Sequence, residues 1–100
     1  MHRDRQIICV IRALGPGEVV TYGDIAEVAG FARQARLVGR ILATTDEELP
    51  WWRVVNASGR LVPGHEVEQA ELLADEGVMV SGGRVRQARQ GRFSRLMQRP

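Results

Sequence analysis

The 100-residue chain contains no lysine and only one cysteine, and aromatic residues make up 5% of it. The single Cys9 excludes an internal disulfide and fits a reducing compartment such as the cytoplasm. No apolar run approaches the roughly 20 residues that span a bilayer, and the stretch 7–11 is shorter than a signal-peptide core, so neither a membrane segment nor a secretory leader is expected. The length predicts a single domain over residues 1–100.

Motifs for catalysis and metal binding are also missing from the sequence. His2 and His65 have no cysteine or acidic partner at metal-ligand spacing, and no phosphate-binding glycine motif is present. Cys9 is the only thiol and lies in an apolar stretch, so we expect it to be buried as a small hydrophobic residue. No enzyme activity, metal or cofactor is therefore expected.

The charges are distributed unevenly along the chain. Residues 1–45 hold six arginines and four acids, residues 46–76 hold two arginines and eight acids, and residues 77–100 hold six arginines and no acid. Two basic segments separated by an acidic one indicate a basic face, which would attract phosphates. Ordinary surface charge in an arginine-rich proteome is the alternative. The cluster Asp46-Glu47-Glu48 is expected in a solvated loop.

The N-terminal third shows a helix followed by a short strand. Apolar residues at helical spacing predict a helix over residues 4–14, which Gly15-Pro16-Gly17 ends. Val19-Val20 could add a short strand. The predicted inner face of the helix consists of Ile7, Ile8, Ile11 and Leu14.

Two short helices with a glycine-containing turn follow and suggest a helix-turn-helix. Thr21 is placed as an N-cap, with Asp24 as its capping-box partner, for a helix over residues 22–29. A second helix is predicted over residues 33–43. Its basic face would carry Arg33, Arg36 and Arg40, and its apolar face Leu37, Val38, Ile41 and Leu42.

The small residues of this second helix allow a partner surface to approach. Ala35 and Gly39 add little bulk beside the arginines, which suits a helix that contacts DNA. An amphipathic surface helix with solvated arginines is the alternative interpretation. The pattern alone does not separate the two.

The second half of the chain predicts hairpins around one more helix. Strands over residues 53–55 and 60–62 would form the first hairpin, and residues 78–86 the second, with Gly82-Gly83 at its turn. A helix is expected over residues 67–76, with Gly77 as its C-terminal cap. Its inner face would consist of Val67, Ala70, Leu73 and Ala74. The fold class is thus mainly α with short β-hairpins, a winged-helix-like domain containing a helix-turn-helix.

The consecutive Trp51 and Trp52 admit more than one interpretation. Tryptophan is often a core residue, and in a strand two consecutive side chains point to opposite faces. One indole could therefore fill the core while the other offers a flat surface on which a base could stack.

The segment Pro50-Trp51-Trp52-Arg53-Val54-Val55 resembles the active-site motif of the DNA-repair alkyltransferases that remove alkyl groups from O6 of guanine. Those enzymes read Pro-Cys-His-Arg-Val, so Trp51 stands in place of the cysteine and Trp52 in place of the histidine. An indole is neither a nucleophile nor a base. The pattern therefore resembles the alkyltransferase-like proteins, which are non-enzymatic damage sensors. Three more segments are similar to the family in order and spacing: residues 7–26, 35–39 and 69–78.

The resemblance implies a role for each matching residue, because the family binds the minor groove through its helix-turn-helix and rotates the alkylated guanine out of the duplex. Tyr22 would contact the target nucleotide and its 3′ phosphate, Arg36 would fill the gap in the stack, and Trp51 would line the lesion pocket. Arg53 would brace the loop. The implied pocket and base-flipping set is Tyr22, Arg36, Trp51, Trp52, Arg53 and Val54, and the implied DNA-contact set is Thr21, Arg33, Ala35, Gly39 and Arg40.

Three features depart from the family pattern. The Asn-Pro hinge of the enzymes is altered in residues 44–49, and Trp52 replaces a histidine that many alkyltransferase-like proteins keep. Where some sensors place an arginine that probes the alkylated base, this chain has Pro63-Gly64-His65. Arg84, Arg86 and Arg89 could contact phosphates or simply be solvated.

The resemblance predicts a monomeric, cytoplasmic sensor, associated with the nucleoid in a bacterium. It would bind duplex DNA containing O6-alkylguanine and flag the lesion for nucleotide excision repair proteins. Two alternatives remain open. One is a helix-turn-helix regulator that reads DNA sequence without lesion specificity, and the other is an enzyme that uses Cys9.

Overall fold

The computed structural model describes residues 2–94, which form four α-helices, a 3₁₀ turn and five short strands. The predicted class, mainly helical with short strands, is confirmed. The last part of the arginine-rich tail, residues 95–100, lies outside the described residues. The helices are α1 (His2–Arg12), α2 (Tyr22–Val28), α3 (Ala35–Thr44) and α4 (Glu66–Asp75); the strands are β1 (Glu18–Thr21), β2 (Val54–Val55), β3 (Met79–Ser81), β4 (Arg84–Gln87) and β5 (Gln90–Gly91), and the 3₁₀ turn is Trp51–Arg53.

Helix α1 buries the predicted stripe but begins and ends two residues earlier than expected. The expectation that Cys9 is buried is wrong, because its side chain is exposed. At 100° per residue, Cys9 falls on the opposite side of the helix from the centre of the stripe formed by Ile7, Ile8, Ile11 and Leu14. No helix among residues 2–94 is long and apolar enough to cross a membrane.

The helix-turn-helix consists of α2 and α3, which pack against each other. The capping box is present as predicted, since Thr21 Oγ1 accepts a hydrogen bond from Asp24 N and Asp24 Oδ2 accepts one from Thr21 N, both at 3.0 Å. The prediction that Arg33 lies on α3 is wrong. Its φ of 71° is left-handed, so it belongs to the turn, and the helix begins only at Ala35.

The first predicted hairpin is wrong, because β2 pairs in parallel with β1 instead of with residues 60–62. Val54 and Val55 are both fully buried, and a strand covered on both faces suits a parallel sheet. Strand β5 pairs in parallel with the other edge of β1, which gives the order β2-β1-β5. The second predicted hairpin, β3–β4, is confirmed, and Gly82 and Gly83 form its turn with φ of 60° and 75°.

Two hydrophobic clusters form the core. The first joins α1, α2 and α3, and the second lies between the sheet, α4 and β4. Helix α4 departs from its predicted inner face, because Val67 is 74% exposed and Ala74 is also exposed. The predicted Leu73 is buried, together with Gln69, which was not predicted, and Gly77 caps the helix at a φ of 81° as predicted.

The buried amide of Gln69 joins α4 to the segment that contains the tryptophans. Its Nε2 donates to Trp52 O at 3.1 Å, and its Oε1 accepts from Val62 N at 2.7 Å. These bonds satisfy a polar side chain that has no exposed surface. They also fix the backbone on which the candidate site is built.

Candidate nucleic-acid interface

The two tryptophans lie on a 3₁₀ turn and not on a strand, so the expected strand alternation does not apply. Their rings meet edge to face, with centroids 6.2 Å apart and planes at 88°. Trp52 packs against the second hydrophobic cluster, whereas Trp51 belongs to neither cluster. The turn therefore separates the two indoles into different surroundings.

Trp52 and Arg53 are held by a single carboxylate, that of Glu76. Trp52 Nε1 donates to Glu76 Oε2 at 2.9 Å, and Arg53 donates through Nε at 3.0 Å and Nη2 at 2.6 Å. The backbone N–H of Gly17 adds a bond of 2.8 Å to Oε1, and Arg53 Nη1 donates to Leu14 O at 2.8 Å. The Arg53 and Glu76 side chains are each only 12% exposed. This cluster ties the 3₁₀ turn to the end of α4 and to the loop between α1 and β1, which contains Leu14 and Gly17.

Glu76 lies at the C-cap of α4, where the helix dipole disfavours a negative charge. Burial acts to raise the pKa of Glu76, but the hydrogen bonds from Arg53, Gly17 and Trp52 outweigh it and leave the pKa below its ordinary value. The carboxylate is therefore ionised at neutral pH. The hydrogen-bond donors around Glu76, and not the helix dipole, therefore stabilise a negative charge at this position.

The lowered pKa of Glu76 predicts acid-sensitive stability. Because the pKa of Glu76 is lower in the folded than in the unfolded state, its ionised carboxylate stabilises the fold at pH values above the ordinary pKa of 4.5. That stabilisation is lost as the pH falls through the folded-state pKa. We expect the difference in unfolding free energy between the wild type and Glu76→Gln to be constant from pH 7 to about pH 5 and to shrink below it. Urea unfolding across this range measures it, and a difference that is independent of pH would contradict the role of the charge.

Trp51 borders a cavity of about 410 Å³ between the helix-turn-helix and the start of α4. This volume is in the range of small-molecule sites. The His65 ring lies beside the indole, with centroids 5.8 Å apart and planes at 66°. The other principal lining residues are Tyr22, Gly39, Leu42 and Glu68. We call this the Tyr22–Trp51 cavity.

Tyr22 and Gly39 shape the opposite wall of the Tyr22–Trp51 cavity. A Cβ atom on Gly39 would lie 3.9 Å from Tyr22 Cε1, in ordinary contact, so a larger side chain at this position would cover the cavity side of the phenol ring. Burial raises the pKa of Tyr22 above its ordinary value, which keeps the hydroxyl protonated and able to donate a hydrogen bond.

The basic face of α3 retains two of its three predicted arginines. Arg36 and Arg40 are exposed, and neither forms an ion pair within residues 2–94. Leu37, Val38 and Ile41 are buried beneath them, as predicted. Arg33 precedes the helix in the turn. Because Gly39 lies on the same helix, α3 links this basic face to the cavity.

The remaining predicted residues lie outside the Tyr22–Trp51 cavity, at positions where they support the fold. Thr21 caps α2 and is 6% exposed, and Val54 is fully buried against the core and does not line the cavity. Ala35 is the first residue of α3. Glu47, expected to be solvated, accepts hydrogen bonds from Arg5 and Arg12 and so joins α1 to the loop that leads to the 3₁₀ turn.

Sequence reasoning did not assign two residues of the site. Apart from its exclusion as a metal ligand, His65 is named only as part of Pro63-Gly64-His65, where some sensors place a probing arginine, and no local pattern predicts its contact with Trp51. Glu76 carried a usable signal, since an acid at the last turn of a helix requires donors from elsewhere.

Residues 2–78 match the family described as the 6-O-methylguanine DNA methyltransferase DNA-binding domain. The chain belongs to this family. Among curated relatives, a DNA base-flipping protein of Vibrio parahaemolyticus is 41% identical over 80 residues, which cover 76% of this chain and 80% of the relative. A DNA base-flipping protein of Escherichia coli is 46% identical over 77 residues, which cover 73% of this chain and 60% of that one.

The resemblance to alkyltransferase-like members of the family is also confirmed. Alkyltransferase-like protein 1 of Schizosaccharomyces pombe is 36% identical over 70 residues, which cover 64% of this chain and 65% of the relative. The fold matches S. pombe Atl1 in complex with damaged DNA containing O6-carboxymethylguanine, with a TM-score of 0.70, 28% identity and 79% of each chain covered. The Mycobacterium tuberculosis O6-methylguanine methyltransferase matches with a TM-score of 0.65 at 28% identity; the match covers 73% of this chain and 47% of that one.

Proposed function

We propose that this protein is a non-enzymatic sensor of O6-alkylguanine in duplex DNA. It would bind the minor groove through α2 and α3 and hold the rotated base in the Tyr22–Trp51 cavity. The observation that carries the proposal is this cavity, which Trp51 and Tyr22 both line. By the sequence resemblance, Trp51 stands at the position of the family's nucleophile. Relatives named DNA base-flipping proteins, and the S. pombe complex with O6-carboxymethylguanine DNA, support it.

The cavity and the basic face would together offset the cost of rotating the base. Extrusion costs a few kcal/mol, and stacking on an aromatic side chain returns about 1–3 kcal/mol per base. Trp51 supplies that stacking surface. Arg36, exposed on α3, would occupy the space that the base leaves, since a planar guanidinium stacks on neighbouring bases. The protonated Tyr22 hydroxyl would donate to the adjacent phosphate.

Alkyl transfer is not part of this proposal. An indole at position 51 provides no nucleophile, and Trp52 donates its N–H to Glu76 where the enzymes have a histidine. Cys9 lines a separate groove on α1 that shares no residue with the Tyr22–Trp51 cavity. A base bound in the cavity would therefore not meet the thiol.

Recognition without repair requires another protein to remove the lesion. We infer that the bound complex flags the site for nucleotide excision repair proteins and shields the base until they arrive. We infer a monomer, which the small size of the described fold supports. We also infer a cytoplasmic protein, associated with the nucleoid in a bacterium, since its proposed partner is chromosomal DNA.

A second candidate function is a regulator that reads DNA sequence through the helix-turn-helix. The exposed Arg36 and Arg40 favour it, since arginines on such a helix also contact base edges. The Tyr22–Trp51 cavity argues against it, because reading base edges requires no pocket for a rotated base.

Equilibrium binding to matched duplexes, one containing O6-methylguanine and one guanine, tests the proposal. We expect clear preference for the modified duplex at near-physiological salt, with the methyl group still on the DNA and the protein mass unchanged afterwards. Equal affinity for the two duplexes would mean that the protein is a general DNA binder. Transfer of the methyl group to the protein would mean that it is an enzyme, with Cys9 as the candidate nucleophile.

Arg36→Ala is expected to weaken binding to the modified duplex more than it weakens binding to the unmodified one. The reason is that Arg36 would fill the gap only when the base is rotated out. Arg86→Ala, which removes an exposed arginine from β4, is the matched control. Fluorescence anisotropy with both duplexes measures the two losses, and equal losses on both for Arg36→Ala would reduce this residue to a phosphate contact.

A further inference from the structure

A segment beyond the family match lies against the helix-turn-helix. The family covers residues 2–78, whereas β5 pairs with the outer edge of β1. Gly91 has a φ of 89°, and a Cβ atom there would lie 2.3 Å from Val19 O, so no other residue fits this approach. Arg92 N donates to Val19 O at 3.1 Å. The backbone at Arg92 is therefore held firmly against the strand that leads into α2.

The Arg92 side chain is directed to the start of α2 by Asp24. Its Nε donates to Asp24 Oδ2 at 2.9 Å, and Nη2 donates to Oδ1 of the same carboxylate. Nη1 makes no hydrogen bond to residues 2–94, and the side chain is 56% exposed. A guanidinium has five N–H donors, so Arg92 can keep its carboxylate and bind an anion with its free edge.

Arg92 opens onto a groove of about 580 Å³ that adjoins the candidate interface. Thr21 and Gly23, the two neighbours of Tyr22, line the groove together with Ala57. Arg33, from the turn between α2 and α3, provides a second cation. Gly23 and Ala57 are small and the Thr21 side chain caps α2, so a nucleic-acid strand has room to pass directly beside Tyr22.

Two acids, Asp24 and Glu27, line the groove beside its two arginines, so its capacity for an anion rests on free guanidinium N–H donors and not on net charge. Asp24 is engaged by Arg92, whose guanidinium holds the pKa of that carboxyl below its ordinary value. Glu27 is the only other acid that lines the groove within the described residues, and its charge also acts on Arg92. The N–H donors at the open edge of Arg92 and on the guanidinium of Arg33 are the groups that would bind a ligand.

We propose that this groove is a phosphodiester site, in which Arg92 binds the DNA backbone and extends the interface beyond the family's own domain. The site lies next to Tyr22, so a strand whose nucleotide reaches the Tyr22–Trp51 cavity would pass over it. This inference rests on duplex DNA binding and does not depend on recognition of an alkylated base.

The salt dependence of binding to unmodified duplex tests the site. We expect Arg92→Ala to weaken binding several-fold at low salt and to reduce the slope of log K against log salt concentration by about 1, which is the loss of one phosphate contact. The same loss is expected on the duplex with O6-methylguanine, so the preference for the lesion stays unchanged. An unchanged slope would overturn the proposal.

Arg5→Ala is the matched control, because Arg5 is also 56% exposed and ion-paired but lies on α1. It should leave the slope unaltered. The double variant Asp24→Asn/Arg92→Ala separates direct contact from charge masking, since the asparagine side chain would keep an oxygen for the capping box. Loss of affinity relative to Asp24→Asn alone supports the phosphate contact, whereas no further loss would mean that Arg92 only neutralises Asp24. If the wild-type protein shows no preference for the modified duplex, the sensor proposal is refuted and the proposal for this groove is unaffected.

Discussion

Replacing Glu76 with alanine is expected to lower the free energy of unfolding by an amount near the lower end of the about 3–5 kcal/mol that removing one partner of a buried ion pair costs, because this pair is still 12% exposed. The Arg53 guanidinium, 12% exposed, would lose its counter-ion, and Trp52 Nε1 and Gly17 N would lose their acceptor. Water cannot fully replace these bonds in a site this enclosed. Urea unfolding at pH 7, followed by tryptophan fluorescence, measures the change.

Glu47→Ala is the matched control for this prediction. Glu47 also accepts hydrogen bonds from two arginines, Arg5 and Arg12, but the pairs lie at the surface, where water and salt screen them. Its replacement should destabilise the protein far less. Glu76→Gln, which keeps the shape and one acceptor oxygen, should fall between Glu76→Ala and the wild type. Equal losses for Glu76→Ala and Glu47→Ala would show that the Glu76 cluster does not hold the 3₁₀ turn in place.

The parts of the fold that local rules control were predictable from the sequence. The capping box of Thr21 and Asp24 and the turn at Gly82-Gly83 require only residues close together in the chain. The apolar stripe of α1 follows from helical spacing in the same way. These elements appear where the patterns indicated, with boundaries shifted by one or two residues.

Tertiary packing decided the elements that the sequence misplaced. Val54-Val55 has the composition of a hairpin strand, yet it pairs in parallel with β1 because both faces are buried. Gln69 was not expected in the core, and it is there because partners from residues 52, 54 and 62 satisfy its amide. Neither arrangement can be read from neighbouring residues.

The candidate site shows the same division. Tyr22 and Trp51 were named by resemblance, and the structure brings them to one cavity. His65 contacts Trp51 through the packing of α4. Arg92 reaches Asp24 on α2 because β5 pairs in parallel with β1, and no periodicity in the sequence predicts that strand. Short parallel strands such as β5, two residues long, leave almost no sequence signal.

Removing the indole at position 51 should abolish most of the preference for alkylated DNA. Trp51→Ala is expected to weaken binding to the O6-methylguanine duplex by roughly 5- to 150-fold, the loss of about 1–3 kcal/mol of stacking on one base. Binding to unmodified duplex should change little, because Arg36 and Arg40 on α3 are untouched. Trp51 belongs to neither hydrophobic cluster, so the fold should survive the change.

Two further variants give this prediction its control and its test. Trp51→Phe keeps a flat aromatic surface and should recover much of the preference, since stacking tolerates the identity of the ring. Trp52→Ala should chiefly lower stability, because Trp52 donates to Glu76 and packs against the second cluster instead of lining the cavity. If Trp51→Ala weakens binding to both duplexes equally, the indole acts as a general DNA contact. Loss of lesion preference alone means that the Tyr22–Trp51 cavity receives the base, since only a rotated base could reach the missing surface.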